Sequence, residues 1–457
     1  MRKNKLLALG LAALMAASVA GCSTPSASVD DTKAAESGSD SSQSAAAGEK
    51  IFRYSNTADI ATIDPDKTNS VADATVSYHI YDGLYRNVQG ELQPATAESY
   101  EVSDDGLVYT FKLRQDTKWS DGQTVTAKDY EYGMKRLCDP AAACPASYLG
   151  AVLKNGAKVS EGELPVDELG VKALDDFTLE ITLENPADYF VSMTSMSAFM
   201  PVREDLVEKY GNEFGGSADK QVYNGPFVVS EYSNGKVELT KNPDYYDNEK
   251  ISLDGVEILT VADQTTAVSM FDAGELDLAE VPTELAAQYE GKTQSYYSGA
   301  DDYAALNHRN KYLANKNLRL AMNYAVNREE YILLTHNGLY QANQRYVLPQ
   351  VRGVDGEYGT EYPLEAFPLQ GDMDKAKEYL DTALSELGLS SASDISLKLV
   401  VSDSDTAKKE AEVVANQWKN NLGINVDINM VPYATKNALL VPDSDEYDII
   451  MSGWAPD

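Results

Sequence analysis

An α/β fold in more than one domain is what this sequence predicts, and three observations predict it. The rear of the chain alternates strand-like and helix-like segments. The front carries short runs of period-2 alternation separated by turn residues. The folded part, about 400 residues long, implies two or three domains.

The elements follow in order. Leu107, Tyr109, Phe111 and Leu113 alternate with Val108, Thr110, Lys112 and Arg114, the period of a strand with one side toward a core. Leu179–Leu183 and Val237–Leu239 repeat that period. Asp121-Gly122 reads as a turn, and Thr126 as the N-cap of a helix opening with Ala127-Lys128-Asp129. Further on, Ala376, Tyr379, Leu380, Ala383, Leu384 and Leu387 share one helical stripe, capped by Asp374 before and Gly388 after. A strand over 395–401 follows, then a helix over 407–422 stopped by Gly423. An alternating strand through Ile424, Val426, Ile428 and Met430 comes next, and a last one over 447–451. This succession is the rhythm of a parallel sheet.

The N-terminus reads as an export signal. Arg2, Lys3 and Lys5 precede an uncharged apolar run, Leu6 to Ala20. That run is short for a membrane-spanning helix, which needs ~20 apolar residues. It ends in Val19-Ala20-Gly21-Cys22, which looks like a bacterial lipobox, with cleavage before Cys22 and a diacylglyceryl group on its thiol. An ordinary signal with a chance cysteine is the alternative. Residues 22–49, rich in Ser, Ala, Gly and Asp, bury too little apolar surface to offset ordering entropy and read as a tether.

Composition narrows the function. There are 38 Lys+Arg against 72 Asp+Glu, a formal net charge of −34. Charge of that sign argues against nucleic acid, which needs a basic face. The three histidines, His79, His308 and His336, form no HExxH and no i,i+4 pair, and neither GxSxG nor a phosphate-binding GxxxxGK[ST] loop occurs. No catalytic residue, metal site or cofactor is therefore assigned. The 29 tyrosines, against 9 Phe and 3 Trp, suit wet, adaptable ligand contacts, although surface tyrosines without function read the same way. Cys138 and Cys144 lie close together in an exported chain and are expected to form a disulfide, the alternative being two buried thiols.

One long block carries a resemblance. It runs through Leu92-Gln-Pro94, Asp105-Gly106, Tyr109-Thr-Phe111-Lys-Leu113-Arg114, Lys118-Trp119-Ser-Asp121-Gly122 and Thr126-Ala127-Lys-Asp129. It continues in Asn224-Gly225-Pro226-Phe227, Lys241-Asn242-Pro243, Phe271-Asp-Ala-Gly274-Glu275 and Asn317-Leu-Arg319. Together these resemble the peptide/nickel-type solute-binding proteins of ABC importers. Ser147-Tyr148-Leu149 and Asp167-Glu-Leu169-Gly170 are similar to the oligopeptide-binding branch.

The resemblance implies a periplasmic-binding-protein-like α/β fold: two lobes closing about a hinge, plus an extra domain. The expected division is a signal over 1–21, a tether over 22–49, a first lobe over 50–81 and 209–262, an extra domain over 82–208, and a second lobe over 263–457. Family chains continue past the last residues present here, so the second lobe is expected to be incomplete. The implied partners are an oligopeptide, the permease and ATPase subunits, and the membrane through Cys22; the chain is expected to act as a monomer without a cofactor. In this branch an Asp within Gly-Trp-x-x-Asp holds the peptide ammonium, and here that motif is Gly453-Trp454-Ala455-Pro456-Asp457. Asp457 also follows the carboxyl end of the last expected strand, where α/β sheets bind ligands. Asn69-Ser70-Val71 match the segment that pairs with peptide backbone, and Tyr148 and Tyr433 match aromatic positions of the cleft. Binders of nickel, metal chelate or oligosaccharide share the fold, as do receptors that sense peptides without transport. Few histidines weigh against the metal reading and few tryptophans against the saccharide one.

Overall fold

The computed structural model describes residues 49–454 other than 69, 234, 365–366 and 441–443. The expected signal and most of the tether, with Cys22, lie outside the described residues. Seven strands occupy the first half: β1 Ile51–Asn56, β2 Tyr85–Val88, β3 Glu91–Pro94, β4 Ala97–Val102, β5 Val108–Leu113, β6 Val171–Asp175 and β7 Thr178–Thr182. Seven more follow: β8 Phe227–Ser233, β9 Lys236–Lys241, β10 Gly255–Thr260, β11 Asp301–Leu306, β12 Ser396–Ser402, β13 Asn425–Val431 and β14 Ile449–Trp454.

The first sheet has the order β1-β10-β9-β8, with β1 parallel to β10 and the other pairs antiparallel. Helix α1, Val71–Ile80, lies against β8, where His79 meets the Phe227 ring edge-on at 6.0 Å. β1 is an edge strand of this sheet. Its outer side is partly covered by the chain after helix Gln264–Asp272. There Leu278 bridges to Tyr54, and the Asp277 carboxylate accepts bonds from both the backbone and the guanidinium of Arg53.

The second sheet, β4-β5-β7-β6, is antiparallel. As the alternation in β5 predicts, Tyr109, Phe111 and Leu113 are buried while Lys112 is exposed. Helix α2, Ala127–Cys138, covers β6 and β7 and opens with a capping box between Thr126 and Asp129. One continuous core runs from Tyr54 to Ile258 and serves both of these sheets.

The third sheet has the order β11-β14-β12-β13, in which β12 is parallel to β13 and to β14. Helix Asp405–Leu422 makes the crossover from β12 to β13 and ends at Gly423 with φ +80°, a left-handed stop suited to glycine. Its Trp418 donates from the indole nitrogen to the Met322 carbonyl at 3.0 Å inside a separate core of residues 313–449. Helix Met373–Leu387 is capped by Asp372, which accepts from the Lys375 amide at 3.0 Å. Asp374, the residue expected there, lies in the first turn instead, because the helix starts at Met373, three residues before the apolar stripe begins at Ala376.

The expected Cys138–Cys144 bond is not formed. Both cysteines are free and buried. The Cys138 sulfur packs where any side chain on Gly150 would stand, and the Cys144 thiol faces the Arg136 carbonyl at 3.5 Å. Burial pushes the first thiol up to about 11 and the second up to about 12, so both stay protonated and inert.

Candidate functional site

The edge of β1 and the start of α1 enclose a cavity of about 390 Å³. Ser70 caps α1 by accepting from the Asp73 amide at 3.1 Å, which fixes the entry of the helix beside the strand. Ser70 and Val71 line the cavity with Tyr54, Asn56, Leu278 and Glu280. Val71 is 79% exposed, an apolar side chain held in the open. Tyr54 is set in place by His79, whose Nε2 lies 3.3 Å from its hydroxyl. Burial, helped by the charge of Arg86, pushes His79 down to about 4, so the ring is neutral. Glu280 accepts from the Tyr296 hydroxyl at 3.1 Å and from the Gln264 amide at 2.9 Å.

A second feature is the carboxyl end of β14. This strand pairs with β11 along its whole length, Ile449 to Trp454. It pairs with β12 only at Ile449 and Ile450. Beyond Ile450 that side of β14 has no strand partner among the described residues, so Met451–Trp454 offers an open edge. Trp454, at its end, is 50% exposed.

Asp302 sits beside this strand; its Oδ1 is 2.5 Å from where a Cβ on Gly453 would stand, so only glycine fits there undisturbed. Burial, and then the charge of Glu410, raises the Asp302 carboxyl above its usual range, while His336 and Lys436 oppose the shift. His336 lies 3.1 Å from Glu410 and stacks on Tyr340, with ring centroids 4.0 Å apart. Tyr340 lies within electrostatic reach of both places: burial raises its hydroxyl, and Asp302, Glu410 and Glu280 add to that shift.

The expected residues divide as follows. Ser70 and Val71 line the cavity, and Trp454 stands at the open end of β14. Tyr433, 65% exposed, opens the helix Tyr433–Ala438 after β13, with the Lys436 ammonium 5.1 Å from its ring. Tyr148, 57% exposed, lies in the short 147–152 helix beyond α2 and does not line the cavity. Asn69 and Asp457 lie outside the described residues. Glu280, Asp302 and the His336–Glu410 pair went unread, because a carboxylate in so acidic a chain carries no mark of its surroundings. Among the described residues no group of three His, Cys, Asp or Glu side chains could hold a metal ion, and no helix is long and apolar enough to cross a membrane.

The family model described as "Bacterial extracellular solute-binding proteins, family 5 Middle" matches residues 91–457. The chain belongs to the family 5 solute-binding proteins. This binding protein is 31% identical over 406 residues to the oligopeptide-binding protein OppA of Bacillus subtilis, covering 87% of this chain and 73% of the relative. It is 30% identical over 471 residues to the periplasmic OppA of Salmonella typhimurium, covering 100% and 81%. The structure of Listeria monocytogenes OppA bound to peptide superposes with a TM-score of 0.72 at 29% identity, covering 90% of this chain and 82% of that one. The pheromone receptor PrgZ matches with a TM-score of 0.74 at 28% identity, over 90% and 82%. The expected periplasmic-binding-protein-like α/β architecture is thus the architecture of the binding protein.

Proposed function

We propose that this binding protein captures oligopeptides in the cleft and delivers them to the permease of an ABC importer. The observation that carries the reading is the open edge of β14 from Met451 to Trp454, with the cavity lined by Ser70 and Val71 in support. An extended peptide adds to such an edge through main-chain hydrogen bonds, which gives affinity with little regard to side chains. Several relatives and solved neighbours are oligopeptide binders by name, which supports the same reading. Asp457 follows this edge in sequence and takes the peptide ammonium. A buried ammonium without a partner is costly, and a charge-assisted bond to a carboxylate offsets that cost. Cys22 holds the protein by lipid on the outer face of the cytoplasmic membrane, through the tether.

Calorimetric titration with a free-amine peptide and its N-acetylated twin tests this, in wild type and in Asp457→Asn. Losing one member of a buried pair costs about 3–5 kcal/mol, or about two to nearly four decades of affinity. Wild type is expected to prefer the free amine by that margin, and Asp457→Asn to lose most of the preference. Equal binding of the twins by wild type removes Asp457 as the anchor, and absence of binding by any peptide removes the reading.

A further inference from the structure

The cavity beside β1 holds one carboxylate in its lining, Glu280. Its two carboxylate oxygens each take one hydrogen bond, and both donors are neutral, the Gln264 amide and the Tyr296 hydroxyl. A carboxylate has about four acceptor positions, so capacity remains on both oxygens. Arg53, on β1, is already committed: its guanidinium bonds Asp277 at 3.0 and 3.1 Å. No ion pair reaches Glu280 among the described residues. Its negative charge therefore faces the cavity uncompensated, beside the apolar surfaces of Val71 and Leu278.

A long side chain with an apolar stem and a cationic tip matches that lining. The stem lies along Val71 and Leu278, and the tip reaches Glu280. The volume of about 390 Å³ falls within the ~300–1,000 Å³ typical of ligand pockets and admits such a side chain. Asn56 lines the same cavity, and its amide nitrogen is buried with no acceptor among the described residues.

We infer that this cavity is a subsite selecting a lysine or arginine side chain of the bound peptide, with Glu280 as its charge partner. The inference rests on the peptide reading and adds a preference to it: backbone bonds capture peptides in general, and Glu280 ranks them.

The test is calorimetric titration of the intact protein with matched peptides of one length, carrying lysine, norleucine or glutamate at one position scanned along the chain. Norleucine keeps the stem and removes the charge. At one position, wild type is expected to bind the lysine peptide about 10-fold more tightly than the norleucine peptide, and the glutamate peptide more weakly than either. In Glu280→Gln that preference is expected to shrink to about 2-fold. Glu280 is exposed, and equal thermal melts of wild type and Glu280→Gln establish that the fold is intact. If norleucine and lysine peptides bind alike at every position, or the lysine preference survives in Glu280→Gln, the inference fails while the peptide reading stands. If no peptide binds, both fail.

Discussion

His79 shows how a single side chain ties stability to pH. Buried against Tyr54 and Phe227, it is neutral in the fold and titrates at about 4, against about 6.5 in an unfolded chain. A lowered folded value means that the unfolded state binds the extra proton between those limits. The contribution is complete above pH 6.5 and is lost as pH falls toward 4. Between pH 7.5 and 4.5 the loss from His79 alone is about 2.5 kcal/mol. Urea melts at the two pH values check this: His79→Gln is expected to lose that much less than wild type on acidification. Equal losses in both proteins contradict it. At this scale the sequence revealed residues whose role is local, such as Thr126 and its capping partner Asp129. It did not reveal Glu280 or the His336–Glu410 pair, whose roles come from neighbours far along the chain. Asp302 was likewise hidden, because its meaning depends on Gly453 in the next strand.

At the scale of elements, the segment Asp64–Thr68 leading toward α1 is fastened to α2 by one arginine. Arg136 donates to Asp64 at 2.8 and 2.6 Å and to Asp66 at 2.7 Å, and its guanidinium lies 5.4 Å from the Phe214 ring. Both carboxylates are almost wholly buried, and burial, partly offset by Arg136, raises Asp66. Removing the cation strands two buried carboxylates, at a typical cost of about 3–5 kcal/mol. Arg136→Met is expected to lower denaturant stability by that amount, and a loss under about 1 kcal/mol contradicts the network's role. The βαβ succession of the rear sheet was legible because β12 and β13 carry regularly placed apolar residues and the helices before and between them end in glycine. Two features were not. The antiparallel β11 carries Asp301 and Asp302, which broke its strand pattern, and β14 runs on to Trp454 through Ser452 and Gly453, where alternation ends. The loose thiols belong here too. Spacing suggested a bond, but the direction of each sulfur is set by α2 and by the loop after it.

At the scale of the whole molecule, ligand capture requires that both cleft walls meet the same peptide. The architecture was legible through long ordered motifs, whereas the cavity was not, since its lining comes from β1, α1 and the chain near Leu278, segments that are distant in sequence. The three tryptophans supply a direct reporter. Trp119 and Trp418 are buried, at 1% and 3% exposure, and Trp454 is half exposed at the open edge of β14. Peptide that adds to that edge dries the indole, and its emission shifts to the blue. The decisive measurement is therefore a tryptophan-emission titration with peptide, in wild type and in Trp454→Phe, alongside calorimetry. The account predicts a saturable blue shift in wild type that follows the calorimetric isotherm and is absent in Trp454→Phe. Calorimetric binding with unmoved emission, or an equal shift in Trp454→Phe, would place the ligand away from this cleft and contradict the account.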